Sequence, residues 1–180
     1  MRREPETFRL GAHTLVLRNA EEADAGQLIE YLKNTTAETR FLVREPEEIT
    51  ATAEEECRFI SSMNESEHAL MLLAFLDGEL AGNCSFTGMP QKRYRHRATV
   101  GIALCRKFMG LGIGTVMMET LIQAARNQGL EQLELEVIAD NAPAIGLYKK
   151  LGFEVCGTLP NNMKYKDGTY ADALWMRKKL

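Results

Sequence analysis

The sequence predicts a single α+β domain: a mixed α/β fold with a central, mostly antiparallel sheet and helices on both faces. Three observations carry this. Asp77-Gly78 stands between two β-prone runs, the signal of a tight antiparallel hairpin. A second pair of strand-like runs closes the chain around Lys166-Asp167-Gly168. Between them, an apolar strand, a glycine-rich joint, a helix and another strand follow in turn, an order that needs a parallel crossover.

Taken in order, "HTLVLRNA" (13–20) alternates as a strand and runs into a helix carrying Leu28, Ile29, Tyr31 and Leu32. After the loop "NTTAETRFLVREP", the stretch "EEITATAEEECRFISSM" (47–63) places Ile49, Ala53, Cys57 and Ile60 at helical spacing, predicting a second helix with one inward stripe. "LMLLAFLDGELAGNCSFTG" is the hairpin, and "RATVGIALC" a further strand. Beyond the glycines, Val116, Met117, Thr120, Leu121 and Ala124 mark one helix face. "LEQLELEVIA" is a strand with Leu133, Leu135 and Val137 on one side. "NAPAIGLYKKLG" is a short helix that Gly152 terminates. "FEVCGTLP" and "TYADALWMRKK" form the closing pair. The predicted order is β-α-α-β-β-β-α-β-α-β-β within one domain, residues 1–180.

Composition narrows the function. A formal charge of −3 gives no global cationic field for nucleic acid. The longest apolar run, Ala69–Leu76, is eight residues, too short to span a bilayer. The first residues, "MRREPETFRL", hold no apolar signal core, so the expectation is a cytoplasmic protein without membrane or nucleic-acid partners. Cys57, Cys84, Cys105 and Cys156 lie far apart with no CxxC pair, which predicts buried reduced thiols and no metal site.

Gly110, Gly112 and Gly114 alternate at a strand-to-helix joint. The first turn of a helix leaves N–H groups unpaired at the positive end of its dipole, and glycine lets an anion reach them. "MGLGIGT" therefore reads as a pyrophosphate cradle, or else as a close helix–strand turn with no ligand. It is neither a P-loop, since no Gly-Lys-Ser/Thr follows, nor the dinucleotide GxGxxG.

"MGLGIGTVMMETLI", followed by a strand and "DNAPAIGLYKKLGFEVCGT", resembles the GCN5-related N-acetyltransferase (GNAT) superfamily. The order of elements matches over nearly the whole chain. The family's cofactor loop, Q/R-x-x-G-x-G/A, falls on Met109, Gly110, Leu111, Gly112, Ile113 and Gly114, with Met109 in place of Gln or Arg. A second signature, N-x-x-A-x-x-L-Y-x-x-x-G-F, is met by Asn141, Ala144, Leu147, Tyr148, Gly152 and Phe153.

The resemblance implies a GNAT-like three-layer fold in which one parallel strand pair splays apart to admit the pantetheine arm of acetyl-CoA. It implies that backbone groups of Ile102, Ala103 and Leu104 bond that arm, that amides from Met109 to Thr115 hold the pyrophosphate, and that Arg106 or Lys107 adds positive charge. Asn141 and Ala144 line the cosubstrate, with Asn141 also reading as an N-cap. Tyr148 is the catalytic candidate, an acid for the departing thiolate; a free phenol with pKa near 10 holds its proton at neutral pH. No metal takes part. The acceptor is a primary amine on a small molecule or a protein N-terminus, as in ribosomal-protein-alanine acetyltransferases.

No motif names a base: Glu38, Glu45 and Asp172 border the acceptor side, and a water relay needs no single residue. The glutamates Glu45, Glu47, Glu48, Glu54, Glu55 and Glu56 read as a wet helix face or as steering for a cationic amine. The basic turn "QKRYRHR" (91–97) reads as a solvated hairpin, a dimer contact or a CoA-phosphate contact. The chain is expected to be a monomer or homodimer. A rival from another class is a non-catalytic acyl-CoA-binding sensor on the same fold, to which Met109 lends weight and Tyr148 does not.

Overall fold

A computed structural model describes all residues, 1–180. Eight strands form one sheet in the order β1-β2-β3-β4-β5-β6-β8-β7. They are β1 (Glu6–Leu10), β2 (His13–Asn19), β3 (Ala69–Leu76), β4 (Glu79–Gly88), β5 (Arg97–Leu104), β6 (Gln132–Ile138), β7 (Glu154–Lys164) and β8 (Tyr170–Lys179). Helices α1 (Ala25–Glu38) and α2 (Ala53–Glu65) follow β2, α3 (Ile113–Asn127) joins β5 to β6, and α4 (Ala142–Lys150) follows β6. Only β5 and β6 run parallel.

β3 is buried at every position, so its run "ALMLLAFL" is continuous rather than alternating: both faces of the sheet are covered there. On β4, successive residues point to opposite faces. Asn83 reaches the Tyr31 hydroxyl on α1, while Gly82 lies against Met117 of α3. α1 and α3 therefore sandwich the sheet, and α2 packs on α1 and β3. One apolar cluster joins the layers, from Leu17, Leu28 and Leu72 through Phe86 to Met117 and Met176. The Asp77-Gly78 turn forms as expected, with φ of 50° and 87°; the Asp77 carboxylate also accepts the Thr14 N–H at 2.8 Å.

Four expectations need correction. The first strand has an unpredicted neighbour, β1, turned back at Gly11 (φ 61°). α2 begins at Ala53, not Glu47: Thr52 and Glu55 form a capping box, and only a short 3-10 turn occupies Pro46–Glu48. Ile49 is buried from the loop, and Glu45, Glu47 and Glu48 lie off the helix. β7 runs on to Lys164, past an irregular register between Leu159 and Met163 where Asn161 adopts φ 52°. The cysteines are unpaired, but Cys156 is exposed and Cys57 only half-buried, against the expectation of four buried thiols. No helix is long and apolar enough to cross a membrane.

Candidate active site between two diverging strands

β5 and β6 pair only through Arg97–Gln132, Ala98–Leu133 and Thr99–Glu134. The paired end is clamped: Arg97 donates to both carboxylate oxygens of buried Glu134 at 2.8 and 2.9 Å and lies over the Tyr94 ring. Beyond Thr99, β5 keeps β4 as its only neighbour and β6 keeps β8, so a gap opens between them. The ladder alternates, and Cys105 donates its N–H to the Ala81 carbonyl at 2.9 Å. Odd-numbered residues of β5 thus turn their backbone groups toward β4. Those of Ile102 and Leu104 face the gap, whereas Ala103 faces β4.

At the top of β5 the chain makes a 3-10 turn, Arg106–Phe108, and enters α3. Gly110 (φ 79°) and Gly112 (φ 86°, the N-cap) adopt left-handed backbone that favours glycine. The Met109 N–H donates to the Arg106 carbonyl and the Thr115 N–H to that of Gly112, both at 3.1 Å. The five amides from Gly110 to Gly114 have no acceptor within the chain. The cradle is therefore narrower than the sequence suggested. Gly114 serves packing instead: a Cβ there would sit 3.3 Å from Leu147 Cδ2, so its absence lets α3 approach α4. Arg106 and Lys107 are both engaged, Arg106 with Glu38 and Lys107 with Glu79.

Tyr148 projects from α4 and is 7% exposed, its ring centroid 5.8 Å from that of Phe153. Its hydroxyl makes no hydrogen bond within the chain, and burial pushes its pKa up to about 12. Asn141 caps α4, its Oδ1 accepting the Ala144 N–H at 3.3 Å. The three candidate bases all have structural partners. Glu38 ends α1 and accepts the Arg106 N–H at 2.7 Å. Glu45 faces Lys166 at 3.4 Å, and Asp172 accepts the Asn161 N–H at 2.9 Å.

Sequence reasoning missed two features. Arg40 pairs with Asp140 and stacks 5.0 Å over the Tyr165 ring, tying the loop after α1 to the β6–α4 turn and the last hairpin. Tyr31 reads as a core residue by periodicity, yet its hydroxyl lies 2.8 Å from the Ala103 carbonyl oxygen, inside the sheet beside the gap. No local pattern signals that contact, which joins residues 72 apart.

Unpaired strand amides beside a helix N-terminus rich in free N–H groups suit an extended ligand with an anionic end. Fold and site together define an acyltransferase-type scaffold. The chain belongs to the acetyltransferase (GNAT) family, whose model matches residues 26–153. It is 34% identical over 110 residues to an L-amino acid N-acetyltransferase of Escherichia coli (strain K12), covering 59% of this chain and 66% of that protein's length. A solved GNAT-family acetyltransferase from Streptococcus pneumoniae superposes with a TM-score of 0.88 at 31% identity, over 92% of this chain and 99% of the other. A ribosomal-protein-alanine N-acetyltransferase from Brucella melitensis gives 0.80 at 27% identity, over 91% and 99%.

Proposed function

We propose that the protein is an N-acetyltransferase that moves the acetyl group of acetyl-CoA to a primary amine, on a small molecule or a protein N-terminus. The observation that carries this reading is the gap between β5 and β6, open at Ile102 and Leu104 and ending at five free amides. Gly110 to Gly114 hold the pyrophosphate, and Ile102 and Leu104 bond the pantetheine arm and the thioester oxygen. Ala103, whose amide and carbonyl are both turned away from the gap, adds only its side chain to this track; Met109 and Thr115, whose amides are engaged, add side chains or carbonyls; Asn141 and Ala144 shape the start of α4 beside it.

Acetyl-CoA supplies an activated acyl group with a thiolate leaving group. The Tyr148 hydroxyl, without a partner in the chain, donates its proton to the sulfur as the C–N bond forms and the C–S bond breaks, and the proton that the nitrogen sheds in becoming an amide returns through water to the tyrosinate. The ammonium loses its proton to water before attack, because Glu38, Glu45 and Asp172 are each tied elsewhere. The amino-acid and ribosomal-protein relatives support both acceptor classes. Thiol release from acetyl-CoA, measured with a panel of L-amino acids and alanine-terminated peptides, tests the reading. Release with either class is the expected result. Tight acetyl-CoA binding with no release across the panel would instead favour the sensor.

A further inference from the structure

The loop that leaves α1 crosses the open end of the gap. One foot stands on the β5 side: Glu38, the last residue of α1, accepts the N–H of Arg106, two residues past the end of β5, at 2.7 Å. The other stands on the β6 side: the Arg40 guanidinium pairs with Asp140, two residues past the end of β6, and lies 5.0 Å from the centre of the Tyr165 ring in the last hairpin. Backbone from 38 to 40 reaches about 7 Å at most, and the Arg40 side chain completes the crossing. Farther along, Lys166 at the hairpin tip faces Glu45 at 3.4 Å and pairs with Glu47. Residues 39–48 thus form a strap from one half of the sheet to the other, on the side that carries α1.

α3 and α4 meet on the opposite side, where Gly114 lies against Leu147, and the free amides begin α3. A cosubstrate seated from that side leaves its thioester open only toward α1 and the strap. A free amino acid can lie wholly beneath the strap. A polypeptide N-terminus cannot, because the rest of its chain must leave through the mouth. We propose that this ion-paired strap sets the acceptor class: closed, it admits small amines, and a polypeptide N-terminus must open it. This rests on the acetyl-CoA reading above and narrows it to small acceptors. The five charged side chains of the strap and its anchors are 45% to 66% exposed, and exposed ion pairs are individually weak. Three such pairs and one stacked cation together bias the strap toward closure by about tenfold to thirtyfold. Discrimination of that size, relaxed by salt, is what the strap should produce.

The experiment compares kcat/KM, at saturating acetyl-CoA, for the fastest free L-amino acid and for a tetrapeptide that begins with the same residue and has no charged side chains. Equal net charge cancels any steering of the acceptor by the protein's field. The wild type should favour the free amino acid at least about tenfold. Arg40→Met and Lys166→Met should each raise the peptide value about threefold, and together about tenfold, with the amino-acid value within about twofold of wild type. Raising salt from about 0.05 M to about 1 M should do the same in the wild type and little in the double variant. The salt arm needs no substitution, so it stands even where a variant fails to fold. A wild type that favours the peptide, or a ratio that neither salt nor the variants move, would overturn the inference. Equal losses for both acceptors would mark these side chains as structural and overturn it too. No thiol release with either acceptor, while acetyl-CoA binds, would overturn the acetyltransferase reading itself and this inference with it.

Discussion

A buried phenol with no hydrogen-bond partner is costly unless something else uses it. In Tyr148 the ring is buried against Phe153, but the hydroxyl, which has no hydrogen bond within the chain, is not enclosed and stays open to solvent or a ligand; the enclosed, unpartnered phenol oxygen is that of Tyr165. Tyr148→Phe should leave CoA affinity nearly unchanged and lower kcat at least about tenfold, within the range of a general acid. Wild-type turnover in that variant, with chemistry rate-limiting, would show the hydroxyl to be structural. A pKa near 12 also shapes the pH profile. As the proposed acid, Tyr148 stays protonated through pH 9 and adds no falling limb there. Log kcat/KM should rise with a slope near one at the acid end as the amine loses its proton, and a flat profile from pH 6 to 9 would count against a titrating amine. Stability responds with a definite sign. Above about pH 10 the unfolded chain releases tyrosyl protons that folded Tyr31 and Tyr148 retain, so the folded state loses ground as pH rises toward 12. Thermal melts of wild type, Tyr31→Phe and Tyr148→Phe over that range read the effect directly, and each variant should lose less.

At the scale of elements, the parallel pair is held shut at one end and open at the other. Arg97 and Glu134 form the clamp, with Glu134 only 4% exposed. Glu134→Ala leaves the Arg97 guanidinium without its bidentate partner and should cost about 2 kcal/mol, measured by denaturant unfolding. A change within about 0.3 kcal/mol would mean that the clamp is solvated in practice. The strand–glycine–helix–strand unit and the Asp77-Gly78 hairpin were legible because each has a local signature. β1 was not: five residues with charges at Glu6 and Arg9 carry too little alternation, and only pairing with β2 makes them a strand. The start of α2 was misread because Ile49 fell on the helical period while belonging to the loop; the Thr52–Glu55 capping box was the better signal. The candidate site divides the same way. Gly112 and Tyr148 stood out by motif, whereas Tyr31 gained its place from a hydrogen bond across 72 residues of chain.

On the scale of the whole molecule, the sheet is nearly two sheets. β1 to β5 form one antiparallel half, β6, β8 and β7 the other, and three residue pairs join them in the sheet. A ligand lodged between β5 and β6 would bond both halves where they have no bonds to each other. It would therefore bind the folded state alone and raise the midpoint of unfolding by mass action. At a hundredfold excess over Kd the gain is about 2.7 kcal/mol, or roughly 5–10 °C for a chain of this size. On the proposed reading the cradle at Gly110–Gly114 meets the pyrophosphate and not the acyl end, so CoA without the acetyl group should give most of this. Gly112→Val should remove it. A branched side chain at φ 86° strains the backbone and lies beside the free amides, so the apo midpoint should fall by a few degrees while the CoA-dependent rise disappears. Because each protein is compared with its own ligand-free melt, the strain and the lost affinity separate. If Gly112→Val keeps the full CoA-dependent rise, the pyrophosphate does not sit at the N-terminus of α3, and the free amides there answer to packing alone.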